Sequence, residues 1–460
     1  MKKFTINPNG SEPLYIKLCN SICSEILEGR LKSGAKLPSK RELASDLGIS
    51  QNTVLSAYSL LQSRGYIESR LRQGYFVCAD VPQNVSSAEI DKEWYTNTSQ
   101  KYVFSANGNA LFGNPAPCTK ITHKMLADIN KGLFSYTETL GSTDLRTAIA
   151  SYLYSCKNIR CEVGQIIIGA GFAYILDMCI KALGNSRVFA IENPCYGRAI
   201  RGLQENNCNI RLLNSSIKGF GIDELENTGA DVLFCMAHHQ YPLGYTMTAE
   251  YKEQLLNWVY SGDRYIIEFD YDSDFLYSDA DAPTLMSLDK YDRIIQIGSF
   301  QRSIAPGISL SYAVLPQKIK SAFKSGLPFF NCLSSNIDMA LVSELIKHGN
   351  LQNNIKMLRK HYSYKHEFVI ECLNRLHIRK NLNIFGDTAG SYFCIEYKGG
   401  KTLEELRALL NENSIKMLPL TVFCKAPNTN IPEKTFVFGF GEPDEQTIKE
   451  GIEKLDNVFI

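Results

Sequence analysis

Between residues 13 and 78 apolar side chains recur every three or four positions. Tyr15, Leu18, Ile22 and Ile26 share one face of LYIKLCNSICSEILE, which predicts a helix over Leu14–Glu28 closed by Gly29. Ser39 then stands three residues before Glu42, the spacing of a capping box, and Gly48 follows the apolar pair Leu43 and Leu47. A short second helix is expected there. Ser50 caps a third, QNTVLSAYSLLQSRG, with Val54, Tyr58 and Leu61 turned inward. YIESRLRQGYFVC switches to alternation about a turn, a two-stranded hairpin.

Residues 79–102 lack periodic apolar positions and read as a linker. Beyond them the strand-like runs QIIIGA, SRVFAI, ADVLFCMA, DRYIIEF and DRIIQIGSF alternate with helix-length segments, the signature of a parallel α/β sheet wrapped by helices. After about residue 350, the helix LQNNIKMLRKHYSYKHEFVIECLNRL and the strands GSYFCIEY and TFVFGF predict a smaller α+β lobe ending the chain.

Composition narrows this picture. A chain of 460 residues, 44% hydrophobic and 21% charged, supports two or three cores. A net charge of +1 means that affinity for nucleic acid must come from a local basic surface. Fourteen cysteines without a CxxC pair read as reduced thiols, which points to the cytosol. The two lysines at the start precede no apolar run, and no stretch of about 18 apolar residues occurs, so neither export nor a membrane span is expected.

That local basic surface lies in the head: Lys32, Lys36, Lys40, Arg41, Arg64, Arg70 and Arg72. Gln51, Asn52 and Thr53 stand at the exposed N-terminus of the third helix, with side chains able to bond base edges or phosphates. Taken singly, each basic residue could equally be an ordinary solvated charge. The segment LKSGAKLPSKRELASDLGISQNTVLSAYSLLQSRGYI resembles the GntR-family winged helix-turn-helix, GxKLPSxRxLAxxLGVSRNTVxxAYxxLxxxGxI. The resemblance implies an operator in double-stranded DNA, contacted by Ser39, Lys40, Arg41, Ser50, Gln51, Asn52, Thr53, Arg70, Arg72 and Gly74. Gln51 replaces the usual arginine, and RQGYFV replaces GSGTFV, so an operator sequence does not transfer.

From Tyr102 to Ile460 the chain resembles the fold-type-I aminotransferase domain of MocR/GabR regulators, through SYTETLGSTDLRTAIASYL, QIIIGAGFAYILDMCI, IENPCYGRAI, HHQYPLGYTMT, IIEFDYDSDF and GSFQRSIAPGISLSYAVLP in order. Pyridoxal phosphate chemistry on this fold needs an amine for the aldimine, a carboxylate on the pyridine nitrogen and a cradle with a cation for the phosphate. In this alignment the lysine falls on Arg302, the phosphate arginine on Ser309 and the carboxylate on Phe269, with Asp270 beside it leaving that register open. A guanidinium stays protonated and cannot form the aldimine. The phosphate loop reads AGFAYI, while Gly141, Tyr196, Arg198, His239, Gln240, Tyr271 and Ser299 are retained.

No covalent cofactor is therefore expected, and transaminase activity is not. Tyr196, Arg198, His239, Phe269, Tyr271, Ser299, Arg302 and Ser309 outline a pocket that suits a small carboxylate or phosphate effector. The plainer alternative pairs Arg302 with Asp270 or another acid and leaves a body that only dimerises. No arginine lies between Thr435 and Pro443, where family members grip an amino-acid carboxylate. Cys235, His238 and His239 do not make a metal site, because adjacent residues of an extended segment face opposite ways.

The reading is a transcriptional regulator for which the resemblance implies a head-to-tail homodimer. Two alternatives stay open: a regulator responding to pyridoxal phosphate, and an aminotransferase using Lys318 or Lys320.

Overall fold

The computed structural model describes residues 13–27, 30–63, 65–70, 73–78, 100–105, 116–126, 133–277, 283–326 and 332–460. Gly29, Arg64, Arg72 and linker residues 79–99 lie outside them. The chain divides into two compact units, Met1–Val85 and Ser86–Ile460.

In the head, α1 (Leu14–Leu27), α2 (Lys40–Leu47) and α3 (Gln51–Ser63) precede the hairpin of β1 (Ile67–Arg70) and β2 (Gly74–Val77). The capping box forms as its chemistry dictates: Glu42 N–H donates to Ser39 Oγ, and Ser39 N–H donates to the Glu42 carboxylate. Gly48 ends α2 in the left-handed region at φ 64°, where a side chain would be strained. Leu18, Ile22, Val54, Tyr58 and Leu61 are buried in one core. Tyr15, expected on that face, is 37% exposed, and Cys19 and Cys23 fill the face instead. Small apolar thiols fit between closely packed helices better than a tyrosine ring does.

The body opens with β3 (Tyr102–Val103). Its main sheet comprises β4 (Ile166–Gly169), β5 (Val188–Asn193), β6 (Asn209–Asn214), β7 (Val232–Cys235), β8 (Tyr265–Asp270), β9 (Ile294–Ser299) and β10 (Ser311–Val314), in the order β4-β10-β9-β8-β7-β5-β6. The expectation of a parallel sheet needs one correction. β10 runs antiparallel to both its neighbours, β4 and β9, because a short loop rather than a helical crossover returns the chain from β9.

The small lobe carries β11 (Leu382–Phe385), β12 (Tyr392–Tyr397), β13 (Ile415–Lys416), β14 (Leu418–Pro419) and β15 (Thr435–Gly439), with an antiparallel sheet in the order β11-β12-β15-β14. The long helix Asn350–Asn374 leads into it. β3 pairs with β13, and Phe104 stacks on Phe438 at 4.3 Å, so the start of the body completes the C-terminal lobe.

Candidate functional site

At the head, Ser50 Oγ accepts the N–H of Thr53 at 3.1 Å, which starts α3 and leaves Gln51 and Asn52 exposed at its N-terminus. Thr53 is half-buried and its hydroxyl meets Ser50 Oγ at 2.9 Å, so it is less free than the sequence suggested. Lys40 and Arg41 are exposed on the first turn of α2. Arg70 packs its guanidinium 4.5 Å from the Phe76 ring centre and 2.7 Å from Glu68, an exposed pair that phosphate can displace. Gly74 turns the wing at φ 109°.

In the body, alternation along β8 separates Phe269 from Asp270. The Phe269 ring lies 4.2 Å from Phe172 and 5.7 Å from Tyr196, centre to centre. Asp270 turns away, and its Oδ2 is 2.6 Å from Lys157 Nζ. Burial alone would raise the Asp270 pKa, but Lys157 holds it below the usual carboxylate range. Asp270 is thus spoken for, and it is not the partner of Arg302.

Arg302 pairs with Asp272 instead. Its Nε is 3.1 Å from Asp272 Oδ1, its Nη2 donates to Ser391 Oγ at 3.0 Å, and the group is 6% exposed. Burial disfavours the charged guanidinium, yet the Asp272 carboxylate outweighs it and raises the pKa. The guanidinium stands 4.8 Å from the centre of the Tyr271 ring. His239 holds the second Asp272 oxygen: Nδ1 is 2.8 Å from Oδ2, and Nε2 is 3.0 Å from the carbonyl of Gly386. Asp272 therefore sits between two nitrogen groups, and its partners reach from the main sheet into the small lobe. Gly390 permits this closeness, since a Cβ there would lie 2.6 Å from Asp272 Oδ2.

The other pocket residues divide. Tyr196 is largely buried, which pushes its hydroxyl up to about 12, while Arg198 and Arg302 pull the other way. Arg198 itself is exposed on the helix Gly197–Glu205, at the rim and not inside a cleft. Ser299 is half-buried at the end of β9, and Ser309 is exposed. A Cβ on Gly171, the N-cap of the helix Phe172–Leu183, would lie 2.8 Å from Ser309 Oγ, so the hydroxyl stands at a helix N-terminus, where a phosphate is favoured. His238 faces elsewhere and accepts from Lys252 Nζ at 3.0 Å. Lys318 and Lys320 are tied to Asp263 and Glu162 on the helix Gln317–Gly326.

Comparison with known proteins places this arrangement. The profile of bacterial regulatory proteins of the gntR family matches residues 14–77, and that of aminotransferase class I and II matches residues 99–454. The chain is 30% identical over 461 residues to the uncharacterized HTH-type transcriptional regulator YdeL of Bacillus subtilis, covering 96% of each. It is 24% identical to the probable rhizopine catabolism regulatory protein MocR of Rhizobium meliloti, over 97% of this chain and 94% of that one. The chain belongs to the MocR-type GntR regulators.

Two further likenesses extend the match. The HTH-type pyridoxine biosynthesis regulator PdxR of Corynebacterium glutamicum is 23% identical over 96% of this chain and 95% of its own. The multiple substrate aminotransferase of Thermococcus profundus superposes with a TM-score of 0.70 at 20% identity, covering 81% of this chain and 94% of that one, a likeness of fold. This MocR-type protein is accordingly an HTH-type transcriptional regulator whose head binds operator DNA, and among its described residues no helix is long and apolar enough to cross a membrane.

Sequence reasoning missed Asp272, Ser391, Gly386 and Gly390. Asp272 was visible in DYDSDF, but only the turn after β8 selects which aspartate meets Arg302. The other three come from the small lobe more than a hundred residues away, and no local signal marks them.

Proposed function

We propose that this regulator works without covalent pyridoxal phosphate, and that its body has exchanged the cofactor for a permanent internal ion pair. The observation that carries this reading is Arg302 on Asp272 at 3.1 Å, at the position where the family alignment puts the lysine. The remaining residues agree. Phe269 sits among Phe172 and Tyr196 where a ring carboxylate is needed, Asp270 is committed to Lys157, and Ser309 brings no charge to the phosphate end. These groups do not fit the cofactor: they offer it no free amine, no acid for its ring nitrogen and no cation for its phosphate at those positions.

The body then acts as a dimerisation platform for two heads. Supporting this, Phe134 and Tyr136 stand almost wholly exposed on the body, apolar area that a second copy would cover. Sedimentation of the full chain tests it, and a concentration-independent monomer refutes it.

The cofactor reading is tested by incubating purified protein with pyridoxal phosphate, reducing with borohydride, dialysing and weighing the intact chain. An unmodified mass and no retained absorbance are expected; a stoichiometric adduct overturns the reading. A second reading, a small carboxylate effector at the pocket rim, is favoured by one observation. Arg302 Nη1 is buried without a hydrogen-bond partner among the described residues, and Arg198 stands by the same Tyr196 hydroxyl. A ligand-induced rise in melting temperature that Arg198→Gln removes distinguishes this reading from a ligand-free body.

A further inference from the structure

Along the solvent-facing side of the helix Asn350–Asn374 runs an open groove of about 540 Å³. Its lining contains three cations, Lys356, Arg359 and Lys360, and one acid, Glu367. Tyr277 and Tyr364 wall it, and Ser363 completes it. A groove of this volume has room for a small ligand. We propose that this groove binds a small polyanion, a phosphorylated or polycarboxylate metabolite, and that the ligand reports to the Asp272 ion-pair cluster.

Three observations support the site. First, the cations are not spent within the fold: among the described residues none of the three has an ion pair, although Lys356 and Lys360 repel one another at a spacing of one helical turn. A helix that only needed solubility would gain from an acid at one of these positions. Second, Arg359 is pre-oriented. Its Nε donates to the Asp274 carbonyl at 3.0 Å, which fixes the guanidinium and leaves its terminal nitrogens for a second acceptor. Third, the half-buried Tyr277 gives the groove an apolar wall beside the charges, while Tyr364, 54% exposed, stands at its rim.

The groove is joined to the cluster described above by short links. The Tyr277 hydroxyl donates to the Gly390 carbonyl at 2.8 Å, and Gly390 packs directly on Asp272 and His239. Tyr362, one residue from Ser363 but on the inner face of the helix, stands edge-on to Phe275 at 5.5 Å, and Arg302 stacks on both rings at 5.6–6.0 Å. A ligand that draws Arg359 and Tyr277 together would therefore act on the same backbone turn that carries Asp272. The proposal does not depend on the loss of the cofactor.

The test is calorimetric titration of the full chain at low salt with pyrophosphate and with citrate. One site per chain is expected, weakened at least tenfold in the Lys356→Gln/Lys360→Gln double variant, since each lost charge-assisted contact contributes roughly that factor. Glu367→Gln is expected to tighten binding, and this arm decides the matter if the double variant fails to fold. Stronger binding of pyrophosphate assigns a phosphorylated ligand, and stronger binding of citrate a polycarboxylate. No binding of either probe, or binding that the lysine and Glu367 substitutions leave unchanged, overturns the proposal. So does a double variant that loses affinity for duplex DNA alone, which would make the surface a contact for the DNA backbone.

Discussion

Replacing Asp272 by asparagine changes almost no volume but removes the one carboxylate that Arg302 and His239 share. At 3.1 Å and an effective dielectric of about 20, the Arg302 pair alone amounts to about 5 kcal/mol of attraction. Its loss strands a guanidinium that is 6% exposed, and stranded buried charges destabilise by about 3–5 kcal/mol. Over residues 100–460, with an unfolding entropy of about 2 cal/mol/K per residue, that corresponds to a melting temperature lowered by about 4–7 °C. Differential scanning calorimetry of the full chain separates the body's transition from that of the head. Arg302→Met and the Asp272→Asn/Arg302→Met double variant complete a cycle, in which the double variant should lose clearly less than the sum of the singles. A drop below about 1 °C for Asp272→Asn, or simple additivity, would refute the claim that this ion pair holds the site.

Three further outcomes are expected. Burial pushes the Glu192 carboxyl up to about 7 although the hydroxyls of Tyr245 and Ser215 donate to it. The native state thus holds a proton that the unfolded chain releases near 4.5, so stability falls as pH rises from about 4.5 to 7, by up to about 3 kcal/mol from this group. Glu192→Gln, whose carbonyl oxygen can accept both hydroxyls, should flatten that fall between pH 5 and pH 8 in urea titrations; an unchanged slope would remove Glu192 as its cause. Gly390→Ala should destabilise the body by about 2–4 kcal/mol, since the methyl would overlap Asp272 Oδ2 at 2.6 Å on a backbone with φ of 70°, and a wild-type melting temperature would contradict this. On an operator selected from random duplexes, Asn52→Ala should lose about 1–3 kcal/mol of specific binding. Lys40→Gln should instead weaken all sequences alike and lower the salt slope by about 1, and the reverse pattern in anisotropy titrations would exchange their roles.

The head was legible almost residue by residue because its determinants are local. Ser39 with Glu42, Gly48, Ser50 with Thr53, and the alternation around Gly74 each act within a few positions. Tyr15 was misplaced because helical periodicity shows which positions share a face and not how much room the neighbouring helix leaves. In the body the strands were readable from their apolar runs, but the antiparallel β10 and the pairing of β3 with β13 were not, since strand partners are chosen across hundreds of residues.

The same distinction runs through the pocket. By itself the sequence determined that position 302 bears a permanently charged guanidinium, that 269 is aromatic and that 309 is a small hydroxyl, because a side chain's chemistry belongs to its residue type. Only the tertiary structure decided what those groups do. The alternation of β8 and the turn after it send Asp270 to Lys157 and Asp272 to Arg302, and the small lobe brings Gly386, Gly390 and Ser391 against that pair. A buried charge must find an opposite charge at about 3 Å, and which one it finds depends on how separate stretches of backbone pack, a relation that no local pattern encodes.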